Sequence, residues 1–83
     1  MDIKKVRVID ADDTQLDVEL ISILEDNGNK YLIYSKGEKQ KSGNLIIYIS
    51  KLKIMNDNFY LENIHDDSEW GKVKKLLGNI INN

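Results

Sequence analysis

Leu20-Ile21-Ser22-Ile23-Leu24-Glu25-Asp26-Asn27-Gly28-Asn29-Lys30-Tyr31-Leu32-Ile33-Tyr34 sets two runs of apolar, β-branched and aromatic residues on either side of an Asn-Gly pair. Asn-Gly fits a type I′ turn, whose two central residues both need φ > 0, a region Asn and Gly reach at the least steric cost. A two-residue loop then sets the register. Leu24 opposes Tyr31, Ile23 opposes Leu32, Ser22 opposes Ile33, and Ile21 opposes Tyr34. The stretch reads as a hairpin, and further hairpins extend it in both directions.

Upstream, strands are expected over residues 3–10 and 16–25. A three-residue loop at Asp12-Asp13-Thr14 pairs Val8 with Val18, Val6 with Leu20, and Arg7 with Glu19. A one-residue slip would turn every side chain to the wrong face, which disfavours a two-residue loop. The third strand spans 30–35, and a polar loop over 36–43 follows. Leu45-Ile46-Ile47-Tyr48-Ile49 is apolar on both faces and marks an interior strand over 44–55. A turn at Asp57-Asn58 sets Lys53 against Glu62 and Ile54 against Leu61, both favourable cross-strand pairs. The fifth strand spans 59–64.

A helix is expected from 67 to 81. Asp66 is its N-cap, and Glu69 three residues on completes a capping-box-like pair. Trp70, Val73, Leu77 and Ile80 recur at helical spacing, with Leu76 and Ile81 widening the stripe. Gly71 and Gly78 each weaken the helix by about 1 kcal/mol relative to Ala, so docking on the sheet has to hold it. The expected fold is α+β, one domain over 1–83. It is a five-stranded antiparallel meander with one C-terminal helix packed on one face (βββββα). The face carrying Val6, Val8, Val18, Leu20, Leu24, Tyr31 and Ile33 is expected under the helix. Ile21, Ile23, Leu32 and Tyr34 form an apolar patch on the other face. It is expected to be covered by sheet curvature, by the 36–43 loop, or by another chain.

Composition narrows the function. The 83 residues include no Cys, so neither a disulfide nor a thiolate metal site can form. The net charge is −2, with acids and bases mixed, which weighs against the basic footprint of a nucleic-acid binder. The longest apolar run, residues 45–49, is too short for a signal peptide or a membrane span. A cytoplasmic protein with no membrane partner is expected.

No reactive constellation stands out. A calcium loop starting at Asp10 would need Gly at its sixth position and Glu at its twelfth, and Gln15 and Ile21 stand there. Asp10, Asp12, Asp13 and Asp17 therefore read as turn formers. His65 beside Asp66 could be an oriented base, but no Cys and no Ser in a nucleophile motif accompanies it. No catalytic, cofactor or metal residue is assigned, and no enzyme is expected. Lys30, Lys36, Lys39 and Lys41 could contact phosphates, yet Glu38 interrupts the run and no aromatic is interleaved for base stacking.

Three segments carry a family resemblance: Lys30-Tyr31-Leu32-Ile33-Tyr34-Ser35; Asn44-Leu45-Ile46-Ile47-Tyr48-Ile49-Ser50; and Asp66-Asp67-Ser68-Glu69-Trp70 opening the final helix. The chain resembles the small bacterial YrzB-like family, a domain of unknown function, over nearly its whole length. The resemblance implies a bacterial cytoplasmic protein and no reaction, cofactor or site residue. Two functions are weighed. One is a non-enzymatic protein-interaction module, or a homodimer, that binds through Ile21, Ile23, Leu32 and Tyr34. The alternative is a nucleic-acid or ribosome-associated accessory protein using Lys30, Lys36, Lys39 and Lys41.

Overall fold

A computed structural model describes residues 4–81 and, for side chains, residues 4–78. The elements are β1 (Lys5–Ile9), β2 (Gln15–Asp26), β3 (Asn29–Ser35), β4 (Tyr48–Met55), β5 (Asn58–Glu62) and α1 (Asp67–Ile81). Ile3, expected to open the first strand, and the side chains of Ile80 and Ile81 lie outside the described residues.

Each strand pairs antiparallel with the next, and β1 also pairs with β5, in parallel, through Val8–Phe59 and Ile9–Tyr60. The sheet is therefore a mixed, closed barrel in the order β1-β2-β3-β4-β5, not the open antiparallel meander expected. Five strands that alternate in direction leave the first and last pointing the same way, so closure between them is parallel. Closing hides an apolar face that one helix could not reach, and it pairs both outer strands.

Two of the three expected hairpin registers differ from expectation throughout. β1 meets β2 with Val6 opposite Val18, Arg7 opposite Asp17, and Val8 opposite Leu16. β4 meets β5 with Leu52 opposite Leu61, Lys53 opposite Tyr60, and Ile54 opposite Phe59. The loops explain both. Ala11-Asp12-Asp13 forms the first, with Asp13 left-handed at φ 66° and the Asp13 amide bonded to the Asp10 carbonyl at 2.9 Å. Asn56-Asp57 forms the last, at φ 51° and 65°, the positive pair a type I′ turn requires. Each loop sits one residue earlier than expected, which keeps every side chain on its expected face while changing its partner. Lys53 still reaches Glu62 diagonally at 3.0 Å, and Arg7 bonds Asp17 at 3.1 Å on the solvent side. The Asn27-Gly28 turn holds φ 51° and 82°, and its register is as expected from Ser22–Ile33 to Asp26–Asn29.

Beyond Ser22 a β-bulge intervenes, and Leu20, not Ile21, opposes Tyr34. One extra residue reverses the alternation, so β2 changes face halfway along. Before the bulge, Leu16, Val18 and Leu20 point into the barrel with Val8, Leu32, Tyr34, Leu52 and Leu61. After it, Leu24 points outward with Tyr31 and Ile33, under Val73, Trp70, Leu76 and Leu77 of α1. The single face expected to lie under the helix is thus split between two cores. β3, buried on both sides from Tyr31 to Ser35, is the wall between them.

α1 begins as its sequence implies. Asp66 caps it, with its carboxylate accepting from the Ser68 amide at 2.9 Å and its carbonyl from the Trp70 amide at 2.9 Å. Trp70, half-buried, donates from Nε1 to the Ile64 carbonyl at 2.9 Å, tying the helix to the end of β5.

Candidate functional site

The bulge also decides what β2 leaves uncovered. Among the described residues, β1 accompanies β2 as far as Leu20, whose amide bonds the Lys4 carbonyl at 2.8 Å. From Ser22 to Asp26, β2 pairs with β3 on one side, and among the described residues no strand pairs its other side. Ile21, the extra residue of the bulge, is 46% exposed, and Ile23 is 44% exposed. Leu32 and Tyr34 are buried at 0% and 5%. The expected four-residue patch is therefore halved, because barrel closure takes Leu32 and Tyr34 into the core. Tyr34 stacks on Tyr48 at 5.5 Å between ring centroids, and the Tyr34 and Ser50 hydroxyls lie 3.1 Å apart. β2 carries Asp17, Glu19, Glu25 and Asp26 and no Lys or Arg.

Residues 36–47 are more ordered than a polar loop. The Gln40 amide bonds the Asn44 carbonyl at 2.8 Å, the Gly43 amide bonds the Gln40 carbonyl at 2.9 Å, and the Ile46 amide bonds the Glu38 carbonyl at 2.9 Å. Lys39 and Leu45 form a bridge pair, and Gly43 supplies the left-handed φ of 91° that closes the turn. This arm is a short hairpin with the same three-residue loop geometry as the Ala11–Asp13 turn. Tyr48 fixes its base. The Tyr48 hydroxyl donates to Glu38 at 2.6 Å, and Lys36 Nζ sits 4.6 Å from the ring centroid.

Leu45 and Ile47, expected inside a two-sided strand, are exposed on the arm at 40% and 46%. β4 begins only at Tyr48. Sequence reasoning missed these two residues as surface candidates. The cue was Ser42-Gly43 before an apolar pair, a turn signal that shortens the strand.

The lysines do not form one site. Lys36, Lys39 and Lys41 lie on the arm at one end of β3, and Lys30 lies at the other end, about 20 Å away at ~3.3 Å per residue. The acids of the first loop are turn formers. Asp10 accepts from the Ala11 amide at 2.8 Å and Asp12 from the Thr14 amide at 3.2 Å, and hydrogen bonding from Thr14, its side chain first and its amide second, holds the Asp12 carboxyl below its ordinary value. Among the described residues no group of three or more His, Asp or Glu could hold a metal ion. His65 is exposed between β5 and α1, in an open hollow shared with Asp10, Asp13 and Glu62.

A partly buried polar contact joins helix to barrel. The Tyr31 hydroxyl, on a residue 2% exposed, donates to Glu69 at 2.6 Å, and Lys51 Nζ lies 3.3 Å from the same carboxylate oxygen. Burial first, then the bond to Glu69, pushes the Tyr31 hydroxyl up to about 12. That bond, helped by Lys51, holds the Glu69 carboxyl below its ordinary value. Glu69 therefore serves as a latch on Tyr31 and Lys51, not as the reciprocal half of a capping box.

No helix among the described residues is long and apolar enough to cross a membrane. No curated protein and no solved structure matches the chain. A family model does match over residues 11–82, from the first turn through the helix, and by it the chain belongs to the family described as a protein of unknown function (DUF1292).

Proposed function

We propose that this protein is a non-enzymatic protein-interaction module of the bacterial cytoplasm, docking through the distal half of β2. The observation that carries the reading is the exposure of Ile21 and Ile23 beside a strand edge that no described residue pairs. Unpaired strand edges are templates for another chain, with main-chain hydrogen bonds supplying affinity and alternate side chains supplying specificity. Natural edges are commonly blunted by Lys, Pro or a covering element. Here the edge keeps two isoleucines and no Lys. The separation of Lys30 from Lys36, Lys39 and Lys41 weighs against one phosphate-binding surface.

The test is photo-crosslinking in the native cell from a photoreactive residue at position 23, with position 74 on the exposed side of α1 as control. Protein crosslinks at 23, absent at 74 and lost with Ile21→Asp, are expected. Equal labelling at both positions, or labelling of RNA in place of protein, would refute the reading.

A further inference from the structure

We infer that the occupant of the β2 edge is the arm of a second copy of this chain, in a two-fold dimer that makes the contact twice. The inference rests on the docking reading above and names its partner. Its basis is complementarity between two surfaces of one molecule. Outward along β2 from the bulge come Ile21, Ile23, then Glu25 and Asp26 before the turn. Outward along the arm from its base come Ile47, then Leu45 with Lys39 across from it, then Lys41 in the turn. Both surfaces run from apolar toward charged, acidic along β2, where Lys30 of β3 lies opposite Glu25, and basic along the arm.

Side-chain alternation agrees with this match. Ile23 and Glu25 lie two residues apart on one face of β2, and Lys39 shares a face of the arm with its bridge partner Leu45, two residues from Ile47. All eight residues except Asp26 are exposed, and none of the eight belongs to an ion pair within the described chain.

Topology supplies the symmetry. The arm leaves β3 at Ser35, beyond one end of the strand, while the β2 edge runs along β3 from Ser22 opposite Ile33 to Asp26 opposite Asn29. In the inferred dimer, a two-fold axis near Ile21 sets each copy's arm alongside the other's β2, base to base and tip to tip. The lengths also agree. Ile21 to Asp26 spans about 17 Å, and four to six residues of arm span roughly 13–20 Å. Such an interface is isologous and closes at two copies, so it does not propagate into a fibre. Tyr48 holds the arm's base before docking, which lowers the ordering cost of the contact.

Sedimentation velocity of the full chain at micromolar concentration tests this. The parent should sediment at twice the chain mass, with association weakening as salt rises. Lys39→Glu/Lys41→Glu and Glu25→Lys/Asp26→Lys each set like charges against each other, so each variant alone should be a monomer with unchanged circular dichroism. Mixed one to one, they should recover the dimer, because both contacts of the mixed pair are then oppositely charged. A monomeric parent, or a dimer that survives in either variant alone, would overturn the inference. So would a mixture that stays monomeric. A monomeric parent whose position 23 still crosslinks to a different protein would sink the self-association and leave the interaction-module reading standing.

Discussion

β3 buries Leu32 and Tyr34 toward the barrel axis and Tyr31 and Ile33 toward α1, but the two faces are sealed by different means. The inner seal is the sheet itself. Its residues come from all five strands, and the Tyr34 and Ser50 hydroxyls meet within it. The outer seal is a helix with Gly71 in its interior, held by Val73 and Trp70 and by the Tyr31–Glu69–Lys51 latch. Removing a piece of the inner seal should therefore disturb every strand. Removing a piece of the outer seal should release one element.

Leu32→Ala should give the largest effect. The side chain is fully buried, and such truncations cost about 2–5 kcal/mol through lost transfer energy and the cavity left behind. Urea unfolding followed by circular dichroism and by tryptophan fluorescence should shift together, because the helix has nothing to dock on once the barrel opens. A Leu32→Ala protein that melts like the parent would break the comparison at its stronger side.

Trp70→Ala should cost less, about 2–3 kcal/mol, because the ring is only half-buried and its Nε1 bond ends on a backbone carbonyl. Its signature should be local. Amide exchange should accelerate along α1 while β1, β2 and β5 keep parental protection. Equal acceleration in helix and barrel would show that the two cores are one cooperative unit.

Tyr31→Phe should give the smallest effect at neutral pH, because it removes one hydrogen bond and leaves Lys51 on the same carboxylate. The sign of its pH dependence follows from Glu69. The folded carboxyl lies below its ordinary 4.5, so its contribution is present above that value and fades as pH falls through the folded value. The stability gap between parent and Tyr31→Phe should therefore narrow below pH 4.5. A gap that stays constant into acid would mean that Glu69 does not act through Tyr31.

Much of this architecture is legible in the chain itself. Asn27-Gly28 specifies its turn because few other residue pairs tolerate two positive φ values, and the register near it follows. Asp66 announces the helix, and the stripe of Trp70, Val73 and Leu77 says which side docks. Alternation also assigns the inner and outer faces of β1, β4 and β5. It does not assign their partners, because sliding a loop by one residue moves each pairing by two positions and leaves the faces unchanged. That is why the expected registers failed at the Ala11–Asp13 and Asn56-Asp57 loops, where Asp and Asn signal their turns less sharply than Gly.

The candidate surface was only half legible, for a related reason. Ile21, Ile23, Leu32 and Tyr34 are equally apolar, and Leu45 to Ile49 is one unbroken run. Burial of Leu32 and Tyr34 depends on β1 meeting β5, a contact between residues some fifty positions apart that no local pattern encodes. Exposure of Ile21 depends on a bulge, one extra residue between Leu20 and Ser22 that reverses the alternation of β2. The sequence by itself determined five strands, the Asn27-Gly28 turn and a capped helix, because these depend on neighbouring residues. Closure, the change of face along β2, and the projection of the arm were decided by tertiary structure, because only distant strands in contact can choose between equally apolar faces.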